Sequence, residues 1–209
     1  SGQDSSGYGV YAQIHSADGT LLGGEFQVNT YTSNEQFNAS VTGVGNNNFV
    51  VTWQSYNQDG SSYGIYGQLH NAIGDPIGDE FRVNAYTSST QYEPSATGLE
   101  DGGFVVTWRD DSGHDGGSSW DVRGQRYDAT GNAAGDEFRI NTYTSNDQYS
   151  PSVASLDDGG FMVTWHSYNQ DGHDWGIYGK RFDADGVAAT GDIRINTYTT
   201  YNQSNPSVE

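Results

Sequence analysis

The feature that most constrains this chain is that it copies itself. Glu25-Phe26-Gln27-Val28-Asn29 returns as Glu80-Phe81-Arg82-Val83-Asn84, as Glu137-Phe138-Arg139-Ile140-Asn141 and as Asp192-Ile193-Arg194-Ile195-Asn196. The asparagines stand 55, 57 and 55 residues apart, and Gln36, Gln91, Gln148 and Gln203 keep the same intervals. So do Ala12, Gly67, Gly124 and Gly179. Three unlike markers in one register define a repeated structural unit. A unit this small cannot bury a core alone, so it must stack on its neighbours.

Each unit divides into four short segments. The first, Glu-Phe-x-Val-Asn followed by Ala/Thr-Tyr-Thr, alternates in the manner of a half-buried strand. The second centres on Asn38-Ala39-Ser40-Val41, Pro94-Ser95-Ala96, Pro151-Ser152-Val153 and Pro206-Ser207-Val208. The third runs from Phe49 to Trp53, Phe104 to Trp108 and Phe161 to Trp165. It is apolar at consecutive positions, as a strand covered on both faces must be. The fourth is Gly64-Ile65-Tyr66-Gly67-Gln68-Leu69, with copies at 8–14, 121–127 and 176–182. Turn sequences such as Asp128-Ala129-Thr130-Gly131-Asn132 separate these runs, and none of them carries a sustained helical period.

The pattern predicts an all-β fold: a β-propeller of four-stranded blades of about 55 residues each, either four blades or a segment of a larger array. A β-solenoid is the alternative. Residues 1–209 read as a single repeat domain, comprising a partial blade (1–20), blades at 21–75, 76–131 and 132–187, and a partial blade (188–209). The incomplete end blade offers a route to self-association.

Charge narrows the partners. Against 27 acidic residues stand 8 basic ones, a net charge of −19 that repels phosphate backbones and anionic membranes, so nucleic acid is excluded as a partner. No apolar run approaches the length needed for membrane insertion, and with no cysteine there is neither a disulfide framework nor thiol chemistry.

The loop between the third and fourth segments concentrates the chemistry. It reads Ser55-Tyr56-Asn57-Gln58-Asp59-Gly60 in one copy and Ser167-Tyr168-Asn169-Gln170-Asp171-Gly172 in another, while the middle copy is longer and different. Flat aromatic faces beside planar amide and carboxylate groups suit the C–H face and hydroxyls of a sugar. Candidate ligand-binding residues are therefore Tyr56, Asn57, Gln58, Asp59, Tyr63, Trp120, Tyr168, Asn169, Gln170, Asp171 and Trp175. Asp4, Asp59, Asp115 and Asp171 can each offer one carboxylate to calcium, the only cofactor expected. The alternative role for the loop is structural, with Asp-Gly forming a turn and the aromatics packing between blades. Trp53, Trp108 and Trp165 read as packing residues, and the repeated asparagines as a hydrogen bond tying one blade to the next. There is no Gly-x-Ser-x-Gly elbow, His-Glu-x-x-His pair or phosphate-binding loop, so no catalytic residue and no enzyme is expected.

The motifs Gly-Gly-Phe-Val-Val-Thr-Trp, Asn-Gln-Asp-Gly and Gly-Ile-Tyr-Gly together resemble repeats of large secreted calcium-binding, haemolysin-type adhesins of bacteria. The resemblance implies an extracellular, secreted or cell-surface protein that contacts glycans, extracellular matrix or cell-surface components. The expectation is thus a multivalent, lectin-like or adhesive binding module. Its alternative is a calcium-stabilised scaffold or filament subunit with no small-molecule ligand.

Overall fold

The computed structural model describes residues 7–114, 116 and 119–209. A two-stranded sheet comes first, β1 (Tyr11–His15) with β2 (Leu21–Gln27). Three four-stranded sheets follow. The first holds β3 (Gln36–Val44), β4 (Asn48–Tyr56), β5 (Tyr63–His70) and β6 (Pro76–Arg82). The second holds β7 (Gln91–Gly98), β8 (Phe104–Asp110), β9 (Asp121–Tyr127) and β10 (Phe138–Arg139). The third holds β11 (Gln148–Ser155), β12 (Phe161–Tyr168), β13 (Trp175–Phe182) and β14 (Ile193–Arg194).

Every pairing is antiparallel and lies within one sheet. A β-solenoid pairs strands between successive coils, so the fold is a β-propeller and not the alternative. Each blade starts on the second sequence segment and ends on the first. The sheets therefore span 36–82, 91–139 and 148–194, which shifts the blades from the sequence division at 21, 76 and 132. The cause is local. The fourth and first segments are joined by tight hairpins, as where Gly74 N–H bonds Asn71 O (3.0 Å), whereas the longer link from first to second segment crosses between blades.

The core lies between sheets. Val50, Ile65 and Leu69 of the first blade meet Phe104, Val106 and Trp108 of the second. Val105 and Val122 of the second meet Val153, Val163 and Trp165 of the third. Successive residues of β4 and β8 thus face opposite neighbours, which is why the third segment is apolar without alternation. Trp53, Trp108 and Trp165 are completely buried at these junctions, as their sequence setting implied.

Polar bonds fix the angle between blades. Asn84 accepts from Ile65 N–H (2.7 Å) and donates to Tyr86 O (2.7 Å) and to Gln91 Oε1 (3.1 Å). Asn29 with Gln36, Asn141 with Gln148, and Asn196 with Gln203 repeat the pattern. The amide pair joins the outer end of one blade to the first strand of the next. A carboxylate reaches back across the same joint: Glu80 accepts from Thr30 N–H (2.6 Å), Glu137 from Ala85 N–H (2.7 Å) and Asp192 from Thr142 N–H (2.9 Å). At the axis the first strands lean together, with Ser40 Oγ accepting from Ala96 N–H and Ser95 Oγ from Val153 N–H, both at 3.3 Å. Gly98 has no alternative here, because a Cβ would stand 2.1 Å from Gly43 O. Residues 203–208 follow the same course, Val208 N–H bonding Ser152 Oγ at 3.2 Å.

A buried amide that loses its partners costs more than the bonds are worth, since the backbone groups left behind stay dry. Asn84→Ala should therefore lower unfolding free energy by about 3 kcal/mol, whereas Asn196→Ala, at the more exposed last joint, should cost under about 1 kcal/mol. Urea denaturation of the two variants checks the difference.

Candidate functional site

The first strand of each blade breaks its register at the same place. The slips fall between Phe37 and Ser40, Tyr92 and Ser95, and Tyr149 and Ser152. At each bulge one residue is left-handed: Asn38 (φ 53°), Glu93 (57°) and Ser150 (50°), with Asn205 (57°) in the last copy. Such a conformation suits Asn and costs roughly 1 kcal/mol or more for other residues, so a glutamate there is unusual. Bulges re-aim side chains. Here Asn38, Glu93, Ser150 and Asn205, with Ala39, Pro94, Pro151 and Pro206, line one cavity of about 470 Å³ at the propeller axis.

Glu93 is firmly held. Its Oε2 accepts from Ser150 N–H (3.0 Å) and Oγ (3.3 Å), and its Oε1 lies 3.5 Å from the Arg109 guanidinium. Gln54, Arg109 and His166 occupy equivalent positions behind the bulges, paired in register with Phe37, Tyr92 and Tyr149. Gln54 Oε1 accepts from Asn38 Nδ2 (3.0 Å) and Glu93 N–H (3.3 Å), and His166 Nδ1 accepts from Asn205 N–H (3.2 Å). The Arg109 guanidinium lies over three rings, at 4.9 Å from Tyr92, 4.7 Å from Trp120 and 4.6 Å from Tyr149.

Beside the bulges, starting from Phe37, Tyr92 and Tyr149, the aromatics form a continuous belt. Tyr8 meets Phe37 (6.4 Å between centroids), Phe37 meets Tyr63 (5.6 Å), and Tyr63 meets Tyr92 (5.0 Å). Tyr92 then meets Trp120 (5.7 Å), Trp120 meets Tyr149 (6.0 Å), and Tyr149 meets Trp175 (5.2 Å). Two acids border the belt: Asp147 accepts from the Tyr149 hydroxyl at 2.9 Å, and Glu35 from that of Tyr63 at 3.5 Å. Burial, with the Asp147 bond next, raises the Tyr149 pKa to about 12, so the phenol stays a donor.

Of the sequence candidates, Tyr63, Trp120 and Trp175 belong to this belt. Tyr56 and Tyr168 lie outside it, exposed and resting on Tyr63 (4.9 Å) and Trp175 (5.1 Å). Asn57 and Asn169 are left-handed turn residues, and Asp59 and Asp171 bond the N–H groups of Ser61 and His173. Gln58 donates to Glu80. These loop residues therefore serve the turn, and their carboxylates and amides do not reach the axial cavity. The remaining oxygen of Asp59 (Oδ2) is buried without a hydrogen-bond partner, as are Asp171 Oδ2 and the Gln58 and Gln170 carbonyl oxygens. In the middle blade Asp121 replaces the glycine at 64 and 176, and its carboxylate accepts from Asn141 Nδ2 at 2.7 Å. A Cβ at Gly64 would lie 2.9 Å from Asp59 Oδ2, so Asp121 fills from another backbone position the place that the loop aspartate takes elsewhere. Among the described residues no three acidic, histidine or cysteine groups gather as a metal set. Asp4 and Asp115 lie outside the described residues.

Solved structures share this fold. An α-L-arabinanase of Penicillium chrysogenum complexed with arabinobiose matches with a TM-score of 0.61 and 17% identity, over 94% of this chain and 62% of that one. An α-L-arabinofuranosidase of Fusarium graminearum with arabinobiose gives 0.56 and 12%, over 88% and 65%. An endo-arabinase of Bacteroides thetaiotaomicron gives 0.50 and 13%, over 76% and 61%. The chain thus spans a little under two thirds of each of these structures. No protein-family model matches, and no curated protein matches by sequence, so the adhesin resemblance rests on its motifs alone.

The comparison corrects the expected function. A non-enzymatic binding module, adhesive or structural, was inferred because no local catalytic motif exists. The solved proteins of this fold named above are glycoside-cleaving enzymes, which overturns both that inference and the exclusion of an enzyme. A site assembled at a propeller axis takes one residue from each blade and leaves no contiguous motif to read.

His166 gives this site a pH signature. Burial, then the Arg109 charge, lowers its pKa to about 4. Neutral when folded, it gains a proton on unfolding below about pH 6.5, so its contribution is complete above that pH and is lost on acidification toward pH 4. Between pH 7 and pH 4.5 the wild-type protein should lose roughly 2 kcal/mol more than His166→Gln, the residue found at the equivalent Gln54. Urea unfolding at the two pH values measures it.

Proposed function

We propose that this chain carries a glycoside-cleaving site at the propeller axis, acting on a neutral polysaccharide of the arabinan type. The observation that carries the reading is Glu93: a glutamate placed by a strained bulge in the lining of the axial cavity and held by Ser150 and by Arg109, whose guanidinium lies over Tyr92, Trp120 and Tyr149. Conformational strain kept at a single carboxylate, where the other copies have Asn or Ser, marks chemistry more than packing.

Cleavage of a glycosidic bond uses two carboxyl groups, about 5–10 Å apart, on either side of the bond. Glu93 is the first. Its carboxylate, 3.5 Å from the Arg109 guanidinium, would face the developing oxocarbenium ion. For the second we take Asp147, which accepts from the Tyr149 hydroxyl at 2.9 Å and from the Trp120 backbone N–H at 3.5 Å. Trp120, Tyr149 and Trp175 are half-buried, and their exposed edges would contact sugar rings; the arabinobiose bound by two of the structural neighbours fits this choice of ligand. The chain's strong negative charge is compatible with a neutral polymer and disfavours polyanionic ones. On this reading we propose that the protein acts outside the cell.

Release of reducing ends from linear arabinan and from a panel of other neutral polysaccharides tests the proposal. Turnover should fall about 10²–10⁴-fold in Glu93→Gln and in Asp147→Asn, while Trp120→Ala should chiefly raise KM. Absence of cleavage across the panel, or full activity in Glu93→Gln, would refute it.

A further inference from the structure

Two copies of one loop hold acceptor oxygens that have nothing to accept. Asp59 Oδ2 and Gln58 Oε1 in the first blade, and Asp171 Oδ2 and Gln170 Oε1 in the third, are shielded from solvent without a hydrogen-bond partner. Ser55 Oγ, on a side chain that is 0% exposed, is likewise unpartnered. The register brings these groups together. Ser55 stands opposite Gly64 in the β4–β5 ladder, so both positions face the same side of the sheet. A Cβ at Gly64 would lie 2.9 Å from Asp59 Oδ2. In the third blade Ser167 stands opposite Gly176, and the equivalent distance to Asp171 Oδ2 is 3.2 Å. A carboxylate oxygen shut away from both water and donors is costly, and its recurrence in two blades points to a ligand.

The middle blade shows what kind. There Asp110 stands where the others have Ser55 and Ser167, Asp121 where they have glycine, and Arg123 where they have Tyr66 and Tyr178. The Arg123 guanidinium lies 3.0 Å from Glu137 and 3.7 Å from Asp110. The middle joint therefore carries a cation of its own on the face where the other two carry a tyrosine. Arg82 and Lys180 do not replace it, because Arg82 Nε–H serves Asn84 O and Lys180 pairs with Asp192 at 2.7 Å. Water can donate to the same acceptors, but where the sequence supplies a group for this place, the group is positively charged.

We propose that the first and third blades each bind a hard metal cation of the calcium type beneath this loop, through Asp59 and Gln58 with Ser55 in one and through Asp171 and Gln170 in the other. Carboxylate, amide and hydroxyl oxygens are the donors such an ion prefers. One carboxylate per site sets the affinity at the weak end, a Kd of roughly 10⁻⁴–10⁻³ M. The ion ties the loop to the strands below it and takes the part that Arg123 plays in the middle blade. These sites share no residue with the lining of the axial cavity and do not depend on the glycosidase reading.

Calcium chloride titrated calorimetrically into the chelator-treated whole chain tests the proposal. Two saturable sites are expected, and millimolar calcium should raise the melting temperature above its value in chelator. Asp59→Asn keeps the shape of the side chain and the oxygen that accepts from Ser61 N–H, so the variant should fold and lose one site. Asp171→Asn should lose the other, and the double variant both, together with the calcium dependence of melting. Asp185→Asn, which removes an exposed acid from a hairpin of the third blade, should change neither readout. Fewer than two saturable sites at millimolar calcium, undiminished binding in the double variant, or an equal loss in Asp185→Asn would overturn the proposal. The first two results would assign the buried oxygens to water, and the third would mean that calcium is only drawn diffusely to an acidic surface.

Discussion

The structure depends on the buried amide pair that closes each joint between blades. A sheet of four short strands has two apolar faces and cannot stand alone in water. The hydrophobic effect presses sheets together but fixes no angle, because it has no direction. Asn84 and Gln91 supply the direction. Three hydrogen bonds on one asparagine lock the third strand of one blade, the crossing loop and the first strand of the next. Since both side chains are buried, any other angle would strand polar groups without water, and that penalty exceeds the net value of the bonds themselves. The repeat is as regular as it is because each joint poses the same hydrogen-bonding problem.

The ionic layer outside this pair shows one geometry reached by different side chains. The acid at position 80, 137 or 192 always bonds the backbone of the preceding blade, while its second partner changes. Gln58 serves in the first blade, Arg123 (3.0 Å) in the second and Lys180 (2.7 Å) in the third. Removing a partner from such a buried acid leaves a charge that must be neutralised, so these positions can exchange donors but not lose them. The same freedom explains Asp121, which supplies its carboxylate from the strand where the middle loop has diverged.

The fold was legible in the sequence because each marker answers to one contact made once per blade. Asn84, Gln91 and Trp108 recur since their surroundings recur. The phase of the blades was not legible, because a periodic pattern has no natural origin; hairpin length and sheet pairing decide it. The site was half legible. Tyr63, Trp120 and Trp175 stood out beside the variable loop, but Phe37, Tyr92 and Tyr149 looked like ordinary strand residues. Only the bulge, invisible in a pattern of alternation, brings Glu93 into the axial cavity beside them. A signal did exist at the bulge: Asn38, Glu93, Ser150 and Asn205 differ from one another inside an otherwise faithful repeat. Arg109 was a second signal, a rare cation where the other copies carry Gln54 and His166. Packing asks for sameness across blades, so departures from it concentrate where chemistry is asymmetric.

The claim at the centre of this account is that the axial cavity, and not the loops at the blade edges, receives the sugar. A crystal structure of the Glu93→Gln protein soaked with a short arabino-oligosaccharide measures this directly. The account predicts a sugar ring in the axial cavity with a glycosidic oxygen beside residue 93 and the sugar in contact with Trp120 or Tyr149. Sugar bound only at the exposed Tyr56 or Tyr168, with the axial cavity empty, would contradict it.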